Sequence, residues 1–284
     1  MSCRSNVVLI VIYQLLLFGI LTTFVGPVIS EPLLNILNQY NYSIPILTLF
    51  IQIVIGQVII WFFDLCYKCR WLDKYKSNKS KPWSFIENVQ LHNSKVKQTY
   101  VKYYTYIGPM FLVFVFFSNG ILSGLDTSVN TIPSFPYMYV QANLALIIGD
   151  FFFYIAHRIL HTGMFYKYHK EHHGYINLTV HSRLESSIVD YLAETVCYGI
   201  TGILLFDMHV LTYILLLFTG MCIDILDHCG YEFPVSIFHI YLPLNELLFG
   251  QSIHKYHEIH HNKTKGNYAS ISMIYDWLFS TKLT

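Results

Sequence analysis

Residues 137–161 read YMYVQANLALIIGDFFFYIAHRILH. The part 137–156 is an apolar run whose single charged residue is Asp150. At about 1.5 Å of rise per residue, a helix of this length reaches roughly 30 Å, which is enough to cross the hydrocarbon core of a bilayer. The run ends at His157 and His161, and a helix places residues four positions apart on one face. The stretch therefore predicts a membrane-spanning helix that carries two imidazoles at its end.

The composition of the chain agrees with a membrane protein. Of its 284 residues, 54% are hydrophobic and 12% are charged, whereas soluble domains carry about a quarter charged residues. The other apolar runs are residues 7–25, 44–63 and 107–125, and two weaker ones at 188–206 and 210–226. We predict an all-α, polytopic transmembrane helix bundle with a histidine-rich, metal-binding cytosolic cap. Two alternatives stay open: whether residues 188–226 span fully or form a half-buried hairpin, and whether the first run is retained or cleaved.

Lysine and arginine are unevenly distributed, which predicts the orientation of the bundle. Residues 66–105 hold nine of them, whereas residues 26–43 and 126–136 hold none. The positive-inside rule therefore places residues 66–105 in the cytosol. Counting spans places residues 157–187 and the chain beyond 227 on the same side. We therefore expect all the dense histidine motifs on the cytosolic side of the membrane.

This topology divides the chain into three parts. We predict N-terminal transmembrane helices at 1–65, a basic cytosolic segment at 66–105 and a catalytic domain at 106–284.

The formal net charge of +1 gives no electrostatic footprint for nucleic acid. The six cysteines lack the spacing of a disulfide framework. These features favour a membrane protein without a nucleic-acid partner.

Histidine is the unusual feature of the composition. Thirteen of the 14 histidines lie between His157 and His261. They include one HxxxH and two HxxHH motifs, made of His157 and His161, then His169, His172 and His173, then His257, His260 and His261. Spacings of three and four residues put the side chains on one helix face, and imidazole binds iron, zinc, copper and nickel. Eight such ligands exceed the four that one tetrahedral zinc needs, so the motifs predict two metal ions.

Other histidines extend the candidate ligand set. His228 directly follows the last apolar run, and we predict that it is a ninth ligand. For three more histidines two interpretations stay open, a tenth ligand or an ordinary surface histidine: His181, His239 and His254. We expect His92 and His209 to lie outside the site, since span counting places His209 on the opposite side of the membrane.

Asp150 is the acidic residue of the run that leads to the first histidine pair. It shares a helix face with His157 and His161, but seven residues are about 10.5 Å of helix rise, too far for a direct bond to His157. We expect Asp150 to bond a ligand from another helix or to line the substrate cavity. An equal alternative is a hydrogen bond in helix packing.

Four more acidic residues lie in or directly after the two weaker apolar runs. Asp224 stands one turn before His228, and we expect it to orient that imidazole. Asp227 is a candidate helix cap. Asp190 and Glu194 share a helix face near the site, with no assigned role.

At these residues the chain resembles the fatty acid hydroxylase superfamily. Within it, the resemblance is strongest to the branch of sterol C4-methyl oxidases, sterol desaturases and cholesterol 25-hydroxylases. The matching pieces, in the order that the family uses, are Asp150–His161, His169–His173, Asp227–Tyr231, His257–His261, Gly266–Ala269 and Tyr275–Trp277. The resemblance covers roughly residues 70–281, and the motifs in series are specific to the superfamily and not to one substrate.

The resemblance implies a metal centre, an oxidant and a reaction class. It implies a non-haem di-iron centre, O₂ as oxidant, and hydroxylation of an unactivated C–H bond of a sterol or a fatty-acyl lipid. It also implies electron delivery by cytochrome b5 and its NAD(P)H-dependent reductase, and an endoplasmic reticulum membrane. Because imidazole binds several metals, zinc in the isolated protein stays an alternative to iron.

The chain departs from the family pattern at two positions. Tyr256 stands where relatives often carry a leading histidine before His257. Either His254 substitutes for it, or this position holds no ligand. Leu226 stands where relatives carry a glutamate, which puts the hydrogen bonding around His228 in doubt.

Three alternatives to the hydroxylase remain. A desaturase of the same superfamily uses the same motifs, so only product analysis separates the two. A metal transporter or metal-binding membrane protein would place ligands near the bilayer midplane, whereas these motifs follow the spans. An inactive homologue that serves as a scaffold is disfavoured by the intact motifs.

Overall fold

The computed structural model of the protein describes residues 54–79, 125–174, 178–233 and 241–284, together with residues 32, 35 and 101. Within these ranges the chain is helical, and its β pairing consists of two isolated bridges. The prediction of an all-α fold is therefore confirmed. The predicted run at 7–25, most of the run at 107–125 and most of the basic segment lie outside the described residues.

Eight α-helices are described, with four short 3-10 helices between them. They are α1 (Gly56–Cys69), α2 (Phe135–Leu160), α3 (Tyr166–His169), α4 (Ile188–Leu205), α5 (Val210–His228), α6 (Tyr241–Phe249), α7 (Ile253–Lys263) and α8 (Ile274–Leu278). The 3-10 helices are Asp73–Tyr75, Val129–Thr131, His172–Gly174 and Ser182–Leu184.

Three of these helices, α2, α4 and α5, are long and apolar enough to cross a membrane. The run at 137–156 is thus part of a longer helix of 26 residues. The two weaker runs form separate helices of 18 and 19 residues. At about 1.5 Å per residue, even the shorter one reaches roughly 27 Å. Length and composition therefore favour two spans over a half-buried hairpin.

Local sequence determines where these helices begin. In α2 the second residue is Pro136, which is tolerated because the first turn of a helix leaves its N–H groups unpaired. The Ser187 hydroxyl accepts a hydrogen bond from the Asp190 N–H at the start of α4. The Ser252 hydroxyl accepts one from the Lys255 N–H at the start of α7. These caps fix the starts of two helices that carry site residues.

Helix α2 packs against α4 and α5, and the core between them is apolar. Buried residues of this core include Leu146 in α2 and Leu216 and Ile223 in α5. Gly149 permits the close approach of α2 and α4, because a Cβ there would lie 2.8 Å from the Tyr198 ring and 3.1 Å from its Cα. Helices α2 and α4 therefore approach each other closely beside Asp150.

The chain direction brings the histidine-bearing ends of the helices together. The end of α2, the start of α4 and the end of α5 lie at one end of the bundle, next to α7. At the opposite end, Asp126 exchanges main-chain hydrogen bonds with Met208 and Val210. His209 caps α5 there through its Nδ1 atom, which accepts from the Leu211 N–H. The expectation that His209 lies away from the histidine motifs is confirmed.

Candidate metal centre

All nine predicted ligands come together in two adjacent groups of buried or half-buried side chains. The five-histidine cluster consists of His157, His161, His169, His173 and His260. The four-histidine cluster consists of His172, His228, His257 and His261. Within each cluster, one nitrogen of every ring lies within 4.8 Å of the others. The HxxHH motifs each serve both clusters, because neighbouring residues point to opposite sides of the motif.

In the five-histidine cluster the Nε2 atoms converge. The Nε2 atom of His169 lies 2.9 Å from that of His157 and 2.9 Å from that of His173. The Nε2 atom of His260 lies 3.1 Å from that of His173. His161 completes the cluster, with its Nε2 atom 3.2 Å from that of His173.

The four-histidine cluster has the same geometry. The Nε2 atoms of His257 and His228 are 3.0 Å apart, and those of His261 and His257 are 3.1 Å apart. His172 approaches His228 at 3.4 Å between the same atoms. The clusters touch each other, since the rings of His173 and His261 are 4.7 Å apart between centroids.

The Nδ1 atoms of four rings have acceptors, which fixes the position of the ring proton. His157 donates from Nδ1 to the Tyr268 carbonyl at 2.7 Å, and His260 donates to the Gly266 carbonyl at 2.8 Å. His169 donates to the Asp190 carboxylate at 2.7 Å. His228 donates to the Asp224 carbonyl at 2.8 Å. The Nε2 atoms of these rings therefore carry lone pairs, as metal-ligating histidines do.

Converging lone pairs fit a cation and not a hydrogen-bond network. Two Nε2 atoms without a proton repel each other at 2.9 Å, so the contact between His157 and His169 needs a positive charge between them. The proton-free Nε2 atom of His260 belongs to the same five-histidine cluster. The residues present thus fit two metal ions, one in each cluster.

Burial favours the neutral form of four cluster imidazoles, which is the form that binds metals. Burial, followed by the neighbouring histidines, lowers the pKa of His260 and His261 well below the usual value. Burial lowers the pKa of His161 to about 4 and that of His173 to about 3. No proton has to leave these rings at neutral pH before a metal binds.

Two carboxylates orient cluster histidines. The Asp190 bond to His169 was not foreseen from the sequence, in which Asp190 had no role; its position near the site on an apolar helix was the available signal. Asp224 lies as expected, with one oxygen 3.2 Å from His228 Nδ1. Its other oxygen accepts a hydrogen bond from the Arg183 Nε at 2.5 Å.

Asp150 bonds none of the described histidines, so the expected bond to a ligand of another helix is wrong and the packing alternative holds. Its carboxylate accepts hydrogen bonds from the main-chain N–H groups of Ser270, Ile271 and Ser272, at 2.7 to 3.0 Å. The Tyr198 hydroxyl donates to it from α4 at 2.9 Å. Asp150 therefore fixes the loop after α7, two residues from the Tyr268 carbonyl that holds His157.

Asp276 holds the other half of this loop. It accepts hydrogen bonds from the Tyr268 and Ala269 N–H groups, at 2.9 and 2.8 Å, and from the Thr281 hydroxyl. The Tyr256 hydroxyl also donates to Asp276. Tyr256, which replaces a histidine of the family pattern, thus belongs to this loop anchor and to neither cluster.

The remaining candidates that the structure describes lie outside both clusters. The Nδ1 atom of His254 lies 3.5 Å from the Asp227 carboxylate, so His254 does not substitute for Tyr256. Asp227 therefore faces His254 and does not cap a helix. His181 contacts the Asp64 carboxylate at 2.7 Å. His239 and His92 lie outside the described residues. Leu226 packs in the apolar cluster beside α1.

A cavity of about 140 Å³ opens beside the four-histidine cluster. Its walls come from the three candidate spans, with Phe153 from α2, Tyr198 from α4 and Leu217 from α5. His172, His228 and His257 form its polar end. The cavity therefore joins the apolar interior of the bundle to one of the two candidate metal sites.

Comparison with known proteins gives related sequences. Residues 142–281 match the model of the fatty acid hydroxylase family. The chain is 29% identical over 228 residues to methylsterol monooxygenase erg25B of Aspergillus fumigatus, over 72% of this chain and 73% of that protein. It is 34% identical over 157 residues to methylsterol monooxygenase 2-2 of Arabidopsis thaliana, over 53% of this chain and 55% of that protein.

A third relative is a cholesterol 25-hydroxylase-like protein of Danio rerio, 30% identical over 138 residues. That match covers 48% of this chain and 53% of the relative. No solved structure matches the chain. The family match includes all nine clustered histidines, and through residues 142–281 the chain belongs to the fatty acid hydroxylase family.

Proposed function

We propose that the protein is a membrane-bound lipid hydroxylase that uses O₂ and two iron ions to oxidise an unactivated C–H bond of a sterol or a fatty-acyl lipid. The observation that carries this proposal is the convergence of nine imidazoles into two clusters whose Nε2 atoms face one another. The named activities of the relatives, which are methylsterol monooxygenases, support the same reaction class.

Iron is the metal that suits this reaction. Imidazole binds iron and zinc alike, but zinc has no redox chemistry. When bound, a pair of iron ions supplies the activation of O₂ and the oxidation of the C–H bond, with electrons from an external donor. For that donor we propose cytochrome b5 and its NAD(P)H-dependent reductase.

The protein's own share is to hold the imidazoles and to exclude water. Asp190 and Asp224 keep the Nε2 atoms of His169 and His228 turned inward through their contacts at Nδ1. Their negative charges also offset the charge of the metal ions, since an all-imidazole shell is neutral. The apolar walls of the cavity keep water away from the reacting carbon.

The substrate enters from the bilayer in this proposal. The cavity is walled by α2, α4 and α5, which are the three helices apolar enough to span a membrane. A lipid can therefore reach the four-histidine cluster without passing through water. For the side of the membrane we propose the cytosol, because of the basic segment at 66–105, and for the compartment the endoplasmic reticulum.

Untargeted lipid mass spectrometry tests this function. Membranes from cells that express the wild type are compared with membranes from cells that express His172→Ala. We expect a lipid that is one oxygen atom heavier than its precursor and is present with the wild type alone. A product two hydrogens lighter would identify a desaturase. Identical lipids in both membranes, with oxygen and electron donors supplied and sterol and fatty-acyl precursors added, would contradict the proposal.

A further inference from the structure

The two histidine clusters differ in what surrounds them. The four-histidine cluster lies at the polar end of the cavity between α2, α4 and α5, and all four of its side chains are buried. In the five-histidine cluster, His161 is half-buried, whereas the other four side chains are buried. Among the nine clustered rings, His161 is therefore the one that reaches the protein surface. It directly follows Leu160, the last residue of α2.

Two segments of the chain contact the ring of His161. One runs from the end of α2 through α3, and its Tyr166 ring lies 5.7 Å from the His161 ring between centroids. The other is the turn after α7, whose Tyr268 ring lies 5.1 Å away in the same measure. The main chain of Thr264, in the same turn, lies within hydrogen-bonding reach of His161. A molecule that binds over both segments therefore lies over His161.

Both segments are basic. Residues 158–174 and 262–268 carry five lysines and arginines and one acidic residue, Glu171, and all six side chains are exposed. We call the five cations the basic rim: Arg158, Lys167, Lys170, Lys263 and Lys265. Exposed charges of one sign attract a partner of the opposite sign and speed its association. The basic rim therefore favours an acidic partner.

Two apolar side chains add to this surface. Met164 is 75% exposed and Phe165 is 39% exposed, and both lie in the turn between α2 and α3. An apolar patch beside a charged border is the ordinary composition of a protein interface. Electron-transfer complexes lie at the small end of the range of interface sizes. The surface around His161 therefore suits a brief encounter with an acidic protein.

The proposed reaction needs a protein that delivers electrons. Insertion of one atom of O₂ into a C–H bond consumes two electrons and two protons, and the other oxygen atom leaves as water. A one-electron carrier therefore docks twice for each product and is oxidised by one electron each time. Because electron transfer slows steeply with distance, a carrier at His161 reaches the five-histidine cluster first. The route onward is short, since the rings of His173 and His261 join the clusters at 4.7 Å between centroids.

We propose that an acidic electron-carrier protein docks on the basic rim around His161, so that electrons enter at the five-histidine cluster while the lipid is oxidised at the four-histidine cluster. The two clusters then have different tasks, and the carrier and the lipid approach them from different sides. This inference rests on the proposed function and adds to it a docking surface and a point of electron entry.

Binding to the full-length protein in nanodiscs of neutral phosphatidylcholine tests the docking surface. The probes are two haem proteins of opposite charge, the acidic soluble domain of cytochrome b5 and the basic cytochrome c. We expect the wild type to bind only the acidic probe, with an affinity that falls as salt is added. A triple variant should weaken this binding about 10-fold or more. It combines Lys167→Glu, Lys170→Glu and Lys265→Glu.

Lys74→Glu is the matched control. Lys74 is exposed as Lys167 is, and each ammonium group lies over the ring of the following tyrosine, at 4.6 and 4.8 Å. Lys74 belongs to the 3-10 helix whose Tyr75 ring packs on Phe233, away from the basic rim. Its variant should bind the acidic probe within about twofold of the wild type. Unchanged affinity in the folded triple variant, or equal losses in both variants, would overturn the inference.

Anionic lipid is the competing partner, because cations beside exposed apolar side chains also suit a membrane surface. Phosphatidylserine vesicles serve as the probe for it. A triple variant that loses its binding to these vesicles but binds the acidic probe as the wild type does would assign the basic rim to lipid and overturn the inference.

Stopped-flow oxidation of reduced cytochrome b5, without O₂ or lipid substrate, tests the point of entry. The haem absorbance of the carrier reports each electron that leaves it. We expect iron-loaded His257→Ala, which keeps the five-histidine cluster, to oxidise the carrier about as fast as the wild type does. His260→Ala, which keeps the four-histidine cluster, should be several-fold slower. Equal rates in the two variants, or a faster rate in His260→Ala, would contradict entry at the five-histidine cluster.

Chemical reduction separates this inference from the proposed function. After reduction by dithionite, removal of the dithionite and addition of O₂, the triple variant should form as much oxygenated lipid in one turnover as the wild type. If the carrier binds through the lysines and is oxidised, but no lipid is oxygenated with either source of electrons, the proposed function fails and the docking surface stands. If lipid is oxygenated but carrier binding ignores the lysines, the docking surface fails and the proposed function stands.

Discussion

The carboxylate of Asp190 lies 2.7 Å from the Nδ1 atom of His169, and both side chains are fully buried. The contact joins the first turn of α4 to the end of α3. It determines which nitrogen of His169 carries the proton and turns the Nε2 lone pair toward His157 and His173. The pair therefore links the packing of a candidate span to the geometry of the five-histidine cluster.

Removing this carboxylate should weaken metal binding. We expect Asp190→Ala to lower the affinity of the five-histidine cluster for metal by about 10- to 100-fold, because His169 loses the group that orients it. Metal titration of the purified apoprotein measures the effect. Asp207→Asn, at the exposed opposite end of α4, is the matched control and should bind as the wild type does. Unchanged affinity in Asp190→Ala would argue that the contact only supports packing.

The two clusters should load separately. We expect the wild type to hold two metal ions per chain, and the variants His260→Ala and His257→Ala to hold about one each, because they remove ligands from different clusters. The double variant should hold none. Elemental analysis of purified protein gives the count. Loss of both ions in each single variant would mean that the nine histidines form one indivisible site.

Asp276 should be important for stability as well as for metal binding. Its replacement by alanine leaves the buried Tyr256 hydroxyl and the Ala269 N–H unpaired, at about 1–3 kcal/mol for each group. The loop that holds His157 and His260 would also loosen, so the five-histidine cluster should lose its metal first. Thermal unfolding and metal analysis of the same sample measure both effects.

Tyr256→Phe is the milder comparison for Asp276. It removes one of the hydrogen bonds to Asp276 and should reduce the free energy of unfolding by about 1 kcal/mol, with both metal ions retained. A Tyr256→Phe variant that loses metal would show instead that the loop needs this hydrogen bond to hold His157 and His260 in place.

The metal-free protein should lose stability in acid. Burial places the pKa of His161 at about 4 and that of His173 at about 3, below the usual value of 6.5. Between these values and 6.5 the unfolded chain binds more protons than the folded one, so stability is complete above pH 6.5 and falls as the pH decreases. Thermal unfolding of the apoprotein between about pH 7.5 and about pH 4.5 tests whether stability falls as the pH decreases. A melting temperature that rises in acid would contradict the burial of neutral imidazoles.

The helices and the nine clustered histidines were predictable because both follow from short-range spacing. A long apolar run predicts a membrane-spanning helix, and histidines at three- and four-residue spacing share a helix face. Both features depend on local sequence and not on the rest of the chain. His228 was found in the same way, from its position at the end of such a run. That these nine side chains ligate metal remains a prediction.

The partners of the histidines were less predictable, because they depend on the paths of loops. Asp190 is 21 residues from His169 in sequence, and only the loop between α3 and α4 brings them together. For Asp150 we expected a bond to a ligand, a place at the cavity or a packing hydrogen bond. Its carboxylate accepts hydrogen bonds from three N–H groups of the loop after α7. Tyr256 bonds Asp276 for the same reason.

We propose above all that two metal ions held by these histidines oxidise a lipid with O₂. The most direct test is turnover by the purified, iron-loaded protein under isotopically heavy O₂, with an electron donor and a 4-methylsterol. We expect one heavy oxygen atom in the lipid product of the wild type and no such product from His172→Ala. A product whose oxygen comes from water, or equal product from the two proteins, would contradict it.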